Sequence, residues 1–295
     1  MIEVSHLRKS YGSHVAVDGI NFSIPRGVTF GLLGPNGAGK TTTIAMLIGI
    51  FRPDTGQVVV AGGDPADASI RRRIGIAPQS LSLYNDLSAY DNLKFFGRMY
   101  GLSGSRLTDR IHWALDFSGL ADRGKDRVKT FSGGMKRRLN IAVGLIHEPD
   151  LLLLDEPTVG VDTQSRNHIL ESIAQLARGG LTLIYTTHYM DEVERLCDRV
   201  AIMDQGKILA NNSVAELLRI HGGNARIVGT VEQTPGNNPG PEVGQNGSVD
   251  IATNDPVAKL AELHERGVRF REISIKGPTL EDVFLTLTGR SLRDK

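Results

Sequence analysis

The first segment with chemical potential is a glycine-rich loop, Gly34-Pro35-Asn36-Gly37-Ala38-Gly39-Lys40-Thr41, which matches the pattern G-x-x-x-x-G-K-[ST]. Its glycines let the backbone curl so that N–H groups face a polyphosphate, and a following helix adds a dipole that favours anions. In this pattern Lys40 supplies a cation to the β- and γ-phosphates, and the Thr41 hydroxyl binds Mg²⁺. We therefore predict that this loop, with the adjoining Thr42, binds ATP. The alternative is a glycine-rich turn that meets the pattern by chance.

A pair of carboxylates, Asp155 and Glu156, directly follows the apolar run Leu151–Leu154. Four apolar residues in a row predict a strand buried on both faces, and parallel sheets bind ligands at the carboxyl ends of their strands. We predict that Asp155 binds Mg²⁺ and that Glu156 orients and deprotonates an attacking water. An apolar run followed by Asp-Glu is common, so this prediction depends on the pairing with Lys40.

A third segment, Phe131-Ser132-Gly133-Gly134-Met135, places a hydroxyl and two glycines at the start of a predicted helix, where they form a second anion site. It resembles the signature motif of the ATP-binding cassette (ABC) ATPases and precedes Asp155 by 23 residues (155 minus 132), as in that family. The usual signature begins with Leu and ends with Gln, whereas Phe and Met stand here; the Gly-Gly core is intact. The resemblance implies that Ser132 and Gly134 complete the γ-phosphate pocket of an opposite subunit.

Four smaller matches to the ABC family follow its order along the chain: Tyr11, Gln79, Asp162 and His188. The resemblance implies that Tyr11 stacks on adenine and that Gln79, in the Q-loop, touches Mg²⁺ and senses a membrane partner. It further implies that Asp162 lies along a dimer seam and that His188 contacts the γ-phosphate. Each residue also has a structural alternative, respectively a strand-edge tyrosine, a surface glutamine, a helix N-cap and a hydrogen-bonded structural histidine.

Residues 1–221 contain the elements that position these residues. Short apolar runs alternate there with helical patterns, which predicts an α/β domain. We predict a mainly parallel core sheet with strands at 28–33, 151–154 and 181–185, and a helix at 39–48. Residues 81–147 carry no strand signal and predict a helical subdomain. The ABC resemblance covers roughly these 221 residues and implies an additional antiparallel β part.

Residues 222–295 differ in composition and predict a small α+β appendage. Their Pro, Gly and Asn residues are dense between 233 and 248, which predicts a loop. We predict strands at 225–231, 249–252 and 268–275, and helices at 256–266 and 280–288. The segment Gly277–Arg290 resembles a C-terminal motif of daunorubicin-resistance-type export ATPases. Thr279 predicts an N-cap and Gly289 a C-cap for the last helix, which has one apolar face.

The amino-acid composition limits the classes of function that this chain can have. The 295 residues are 40% hydrophobic and 23% charged, as in globular proteins, and the formal charge of +1 gives no footprint for nucleic acid. One cysteine excludes an intramolecular disulfide framework. The basic runs 71–73 and 136–138 lack interleaved aromatics and predict solvated faces.

We find no signal peptide and no run of 18 apolar residues, so we expect a peripheral protein at the cytoplasmic face of a membrane.

Together these observations predict the ATP-hydrolysing subunit of an ABC exporter, of the drug and lipopeptide type, with ATP and Mg²⁺ as its ligands. Its expected partners are a separately encoded permease and a second ATPase subunit, in a homodimer, and not nucleic acid. One alternative is a soluble ABC ATPase acting on ribosomes or DNA. Such proteins usually carry two cassettes or a long coiled-coil insert, whereas only 115 residues separate Lys40 from Asp155 (155 minus 40). A second alternative binds nucleotide without turnover, and would be expected to lack Glu156 or His188.

Overall fold

The computed structural model of the chain describes residues 1–233 and 247–289. Internal contacts divide the chain into two units, Met1–Val214 and Ala215–Lys295. This division precedes the predicted boundary after residue 221, so that helix Val214–His221, except for its first residue, groups with the second unit. Most of the predicted loop at 233–248, and Arg290 of the C-terminal motif, lie outside the described residues.

The first unit contains two sheets. Its strands are β1 (Ile2–Tyr11), β2 (His14–Ile24), β3 (Thr29–Leu33), β4 (Thr55–Val60), β5 (Ile74–Ala77), β6 (Leu151–Asp155), β7 (Thr182–Thr187), β8 (Arg199–Asp204) and β9 (Lys207–Ser213). Its helices are α1 (Lys40–Leu47), α2 (Ala68–Arg71), α3 (Ala89–Met99), α4 (Gly104–Phe117), α5 (Gly133–Leu145), α6 (Thr163–Arg178) and α7 (Met190–Leu196).

The larger sheet has the strand order β5-β6-β7-β3-β8-β9, and every pairing except β8 with β9 is parallel. The central strands β3 and β6 are mostly apolar and are buried except at Asp155, as expected of a parallel sheet whose two faces are covered by helices. The predicted strands agree with the observed ones to within two residues at each end. Because β3, β5, β6 and β7 run in the same direction, the segments that follow them meet at one edge.

The smaller sheet is antiparallel, with β1 between β2 and β4. Tyr11 at the end of β1 pairs with His14 at the start of β2. The buried residues of this sheet, such as Val4 and Ile24, belong to the same hydrophobic core as Phe30 of β3. The expectation of a mainly parallel core with an antiparallel β part is confirmed.

Residues 81–147 form no strand. They contain α3, α4 and α5, with 3-10 turns at Ala121–Arg123 and Val128–Thr130. Leu93, Ile111 and Leu139 lie at the centre of a separate hydrophobic core in this region. The expected helical character of the segment is therefore confirmed.

The second unit contains the helices α8 (Val214–His221), α9 (Pro256–Glu265) and α10 (Leu280–Thr288), and the strands β10 (Ala225–Gln233), β11 (Ser248–Thr253) and β12 (Arg269–Lys276). The strands form an antiparallel sheet in the order β11-β10-β12. Thr279 caps α10 in a reciprocal capping box with Asp282, and Gly289 ends it with φ 70°, as predicted. Across residues 1–233 and 247–289, no helix has the length and apolar character needed to cross a bilayer.

Candidate active site

The glycine-rich loop connects β3 to α1, and its glycines are required by both conformation and space. Gly37 and Gly39 have φ values of 81° and 104°, in the left-handed region that favours glycine. A Cβ on Gly39 would lie 2.3 Å from the carbonyl oxygen of Ala16, and one on Gly34 would lie 2.2 Å from that of Met203. The loop therefore brings bare backbone to the N-terminus of α1, which is the geometry that binds phosphate.

Lys40, the first residue of α1, is buried behind this loop with 7% of its surface exposed. Its Nζ donates hydrogen bonds to the carbonyl oxygens of Gly34 at 2.7 Å and Pro35 at 3.1 Å. Burial lowers the pKa of the ammonium, and the nearby Glu156 and Asp155 oppose that effect. The ammonium is thus held at the loop, within the field of two carboxylates.

Asp155 and Glu156 stand at the carboxyl end of β6, and Thr186 of the neighbouring β7 fixes both. The Thr186 hydroxyl donates to Oδ1 of Asp155 at 2.7 Å. The backbone N–H of Glu156 bonds to the Thr186 hydroxyl and carbonyl oxygens, both at 3.1 Å. One threonine therefore sets the carboxylate of Asp155 and the backbone of Glu156.

Glu156 adopts φ 46°, a left-handed conformation that is uncommon for a residue with a side chain, and only 8% of its surface is exposed. Gln79 Nε2 donates to its Oε2 at 2.8 Å, and Nδ1 of His188 lies 3.5 Å from its Oε1. Two residues that are 77 and 32 positions away in sequence thus meet the same carboxylate. The amide nitrogen of Gln79 is used in this way, which leaves its oxygen as an acceptor.

A cavity of about 480 Å³ lies over these groups, within the usual volume of a small-molecule site. Its lining comprises Tyr11, His14, Ala16, Asn36, Gly37, Gly39, Lys40, Thr41, Thr42, Gln79, Asp155 and Glu156. Ten of these twelve are predicted site residues; His14 and Ala16 are additions from β2. Tyr11 is 45% exposed and meets Phe51 edge-on, with 6.2 Å between ring centroids.

The donors at this cavity suit a magnesium ion. The Thr41 hydroxyl, the Gln79 amide oxygen and the Asp155 carboxylate are hard oxygen ligands of the kind that Mg²⁺ takes together with phosphate oxygens. The predicted ligands and the predicted nucleotide loop line the same cavity and thus fit one MgATP.

Three predicted residues lie away from the cavity, at the N-termini of α5 and α6. Ser132 caps α5 by accepting a hydrogen bond from the N–H of Met135 at 3.3 Å. Asp162 caps α6 by accepting from the N–H of Ser165 at 2.9 Å, and this bond lowers the pKa of its carboxyl. Gly134 packs so closely that a Cβ there would lie 2.0 Å from the Ser165 hydroxyl. The cavity of a single chain therefore lacks all three.

The other predicted residues of the glycine-rich loop do not line the cavity but lie next to it. Pro35 and Gly34 supply the carbonyls that Lys40 binds, while Ala38 is 2% exposed and belongs to the hydrophobic core. His188 also lies outside the cavity lining and reaches the site through Glu156.

The interpretation of residues 136–138 as a solvated basic face is wrong for Arg137. This residue is 5% exposed, and its guanidinium binds backbone carbonyls beside the cavity. Burial lowers its pKa, against the opposing effect of Asp155 and Glu156. A basic triplet at the start of a helix gives no sign of which member points inward.

Glu192 on α7, a carboxylate with 0% exposure, was not predicted from the sequence. It accepts hydrogen bonds from Thr158, Tyr185 and Thr187 hydroxyls at 2.7, 2.7 and 3.0 Å, and from Nε of Arg166 at 2.7 Å. Burial, then Glu192, raises the pKa of Tyr185. The cluster ties the segment between Glu156 and Asp162 to the strand that leads to His188. The sequence feature that could have indicated this cluster is the acidic residue Glu192 among the apolar positions of α7.

Comparison with known proteins places these features in a family. Residues 17–159 match the family described as ABC transporter. The chain is 43% identical to the linearmycin resistance ATP-binding protein LnrL of Bacillus subtilis (strain 168), over 100% of both chains. It is 37% identical to the daunorubicin/doxorubicin resistance ATP-binding protein DrrA of Streptomyces peucetius, over 100% of this chain and 94% of that one. The structure of cbiO1 from Clostridium perfringens, part of the ABC transporter complex cbiONQ, matches with a TM-score of 0.68 and 29% identity, over 74% of this chain and 90% of that one.

Proposed function

The chain belongs to the ABC transporter family of ATP-hydrolysing subunits, and on that basis we propose that it energises export through a separately encoded permease. LnrL is named for resistance to linearmycin and DrrA for resistance to daunorubicin and doxorubicin, and both alignments span this chain from end to end, second unit included. The observation that carries the ATP-hydrolysing part of this function is the convergence of Gln79 and His188 on the carboxylate of Glu156, at the cavity that Lys40 and Asp155 also line.

In the proposed mechanism the nucleotide phosphates lie on the loop from Gly34 to Thr42, with Tyr11 against the adenine. The buried ammonium of Lys40 exchanges its backbone acceptors for phosphate oxygens. A bound Mg²⁺, held by Thr41, Asp155 and Gln79, would neutralise charge on the β- and γ-phosphates. Catalysis in such sites is positioning and electrostatic stabilisation.

Glu156 is proposed as the group that orients the attacking water and accepts its proton. Its two oxygens already have separate neighbours, Gln79 at Oε2 and His188 at Oε1. His188 is further proposed to contact the γ-phosphate. In this arrangement Gln79 orients the Glu156 carboxylate, while His188 connects that carboxylate to the γ-phosphate.

A second copy of the chain is proposed to complete each site. Ser132 and Gly134 lie at a helix N-terminus, outside the cavity of their own chain, and Asp162 lies beside them across the contact with Ser165. Two copies that close face to face would bring this terminus to the γ-phosphate of the other. The proposed homodimer therefore has two equivalent sites.

The proposed permease contact is on the surface that follows Gln79. Leu81, Tyr84 and Leu87 are 40%, 48% and 38% exposed, and Phe95 and Met99 of α3 are 38% and 67% exposed. Tyr84 packs edge-on against Phe95 with 4.9 Å between centroids. Large apolar side chains grouped on a surface mark an interaction site. We propose that the protein contacts its permease through this surface, at the cytoplasmic face of the membrane.

The catalytic part is tested by Glu156→Gln, which keeps the shape of the side chain and removes its charge. We expect MgATP binding to persist while steady-state hydrolysis falls at least about a hundredfold, the range for loss of a general base. The variant should also become dimeric when MgATP is added, which sedimentation velocity would detect. The wild-type protein without nucleotide is the control. Hydrolysis near the wild-type rate would refute the role of Glu156, and an unchanged sedimentation coefficient would refute the nucleotide-dependent homodimer.

The export part is tested by co-expression with the membrane protein encoded beside this chain. We expect the complex in the membrane fraction, with an ATPase rate that responds to the exported compound. Tyr84→Ala and Phe95→Ala should lower recovery with the permease while MgATP affinity stays within about twofold, since neither side chain lines the cavity. Co-sedimentation with ribosomes or DNA, with no membrane protein retained in mild detergent, would instead support the soluble ABC alternative.

A further inference from the structure

Helix α5 turns one face toward the loop that follows β5, and two buried side chains lie on that face. Arg137 and Asn140 are one turn apart and are 5% and 1% exposed. Asn140 Nδ2 donates to the carbonyl of Pro78 at 3.2 Å, and its Oδ1 accepts from the N–H of Ser82 at 3.2 Å. The loop around Gln79 is therefore attached to α5 through side-chain contacts with its backbone.

Arg137 extends this attachment to the catalytic carboxylate. Its NH1 donates to the carbonyls of Pro78 and Gln79, both at 2.9 Å, and its NH2 donates to the carbonyl of Glu156 at 3.1 Å. One guanidinium thus joins α5, the segment after β5 and the segment after β6. These are also the segments whose side chains meet in the hydrogen bond from Gln79 to Glu156.

We propose that Arg137 is a positioning residue for ATP hydrolysis, which holds the backbones of Gln79 and Glu156 in register so that the Glu156 carboxylate points at the site of the attacking water. The inference rests on the proposed role of Glu156. Because Arg137 lies on the same helix as Ser132 and Gly134, it also connects the helix terminus proposed to meet the other subunit with the carboxylate in its own site. A displacement of α5 would then be transmitted to Glu156 through one side chain.

The chemistry requires arginine at this position. The three acceptors belong to two separate segments, and a guanidinium presents several N–H donors in a rigid plane that can reach them together. Lysine keeps the charge, but its single ammonium nitrogen cannot span the same three carbonyls, and a shorter amide leaves at least one buried carbonyl without its donor. Misplacing a reacting group by about 1 Å can lower a rate by about a hundredfold.

The test compares Arg137→Gln and Arg137→Lys with Arg138→Gln as a matched control. Arg138 is the next residue of α5, and its guanidinium binds the carbonyls of Ser118 and Gly119 at the end of α4. We expect both Arg137 variants to bind MgATP within about threefold of the wild-type Kd but to lose at least about tenfold in kcat. The control should keep kcat within about threefold. A general loss of folding would move Kd and kcat together; if Arg137→Gln does not fold, Arg137→Lys carries the test.

A double-mutant cycle shows whether Arg137 acts through Glu156. If it does, adding Arg137→Gln to Glu156→Gln should lower the residual single-turnover rate by less than about threefold, because the carboxylate to be positioned is already absent. Independent, multiplicative losses would overturn the inference, as would a wild-type kcat in the Arg137 variants. Those results differ from an active Glu156→Gln protein, which would refute the proposed function itself.

Discussion

Gly134 is the residue at which a minimal substitution should be most informative, because it lies where the N-termini of α5 and α6 touch. A Cβ added there would be 2.0 Å from the Ser165 hydroxyl, 2.4 Å from the Ser165 Cβ and 3.3 Å from Oδ2 of Asp162. Rotation of the Ser165 side chain can move its hydroxyl but not its Cβ. Gly134→Ala therefore requires the two helix termini to separate.

The size of the effect follows from these distances. Carbon atoms in contact are about 3.5–4.0 Å apart, so the Cβ atoms must separate by about 1 Å or more. Overpacking costs about 1–3 kcal/mol, and an overlap as deep as 2.4 Å between Cβ atoms belongs in the upper part of that range, about 2–3 kcal/mol; the better helix propensity of alanine offsets about 1 kcal/mol. The expected net loss of about 1–2 kcal/mol corresponds to a Tm lower by about 2–8 °C for a unit of this size.

Thermal unfolding followed by circular dichroism measures this loss, and the chain supplies matched controls. A Cβ on the adjacent Gly133 would meet only the carbonyl of Gly160, at 3.8 Å, so Gly133→Ala should melt within about 1 °C of the wild type. In a Ser165→Gly background, Gly134→Ala should cost less than half as much, because the overlapping side chain is gone. A Gly134→Ala protein with the wild-type Tm, or one that Ser165→Gly does not relieve, would refute this account.

Three further predictions concern other parts of the chain. Lys40→Ala should raise the Kd for MgATP at least about tenfold in a fluorescent-nucleotide titration, because it removes the cation that faces the phosphates, and wild-type affinity would contradict this. Burial lowers the pKa of His147 to about 4 in the folded protein. Between about pH 6.5 and 4 the unfolded chain therefore binds one proton more than the folded chain does. The free energy of unfolding, measured with urea, should accordingly fall by up to about 2 kcal/mol from pH 7 to pH 5. His147→Phe, which can keep the stacking on Tyr100, should lose less, and an equal loss would count against His147 as the cause. Thr279→Ala should destabilise α10 by about 1 kcal/mol, seen as faster hydrogen exchange in α10 with β3 unchanged; unaltered exchange in α10 would contradict the capping role.

The features that were predictable from sequence are those set by local patterns. Leu151–Leu154 predicted a buried strand, and a parallel sheet then placed Asp155 at the same edge as the loop around Lys40. The cap at Thr279 was predicted from that residue type alone, and the residues that form it lie within one turn of the helix. In each case the chemistry that determines the structure lies within one element or follows from the direction of the strands.

The features that were missed depend on contacts between distant segments. Arg137 binds carbonyls 59, 58 and 19 residues away, and a backbone carbonyl leaves no trace in the residue types of a sequence. His14 joins the cavity because the hairpin of β1 and β2 brings it beside Tyr11. Thr186 was not predicted as a site residue, although its hydroxyl bonds both the carboxylate of Asp155 and the backbone N–H of Glu156 across the sheet.

The left-handed backbone of Glu156 means that folding and catalysis make opposite demands on one residue. A side chain in that conformation costs on the order of 1–2 kcal/mol, which glycine would not incur. A variant with glycine at this position would therefore be expected to be catalytically impaired and yet resist heat as well as, or better than, its parent. Selection for thermal stability alone would accordingly enrich inactive chains at this position, and any programme to stabilise the protein must screen for turnover alongside melting temperature.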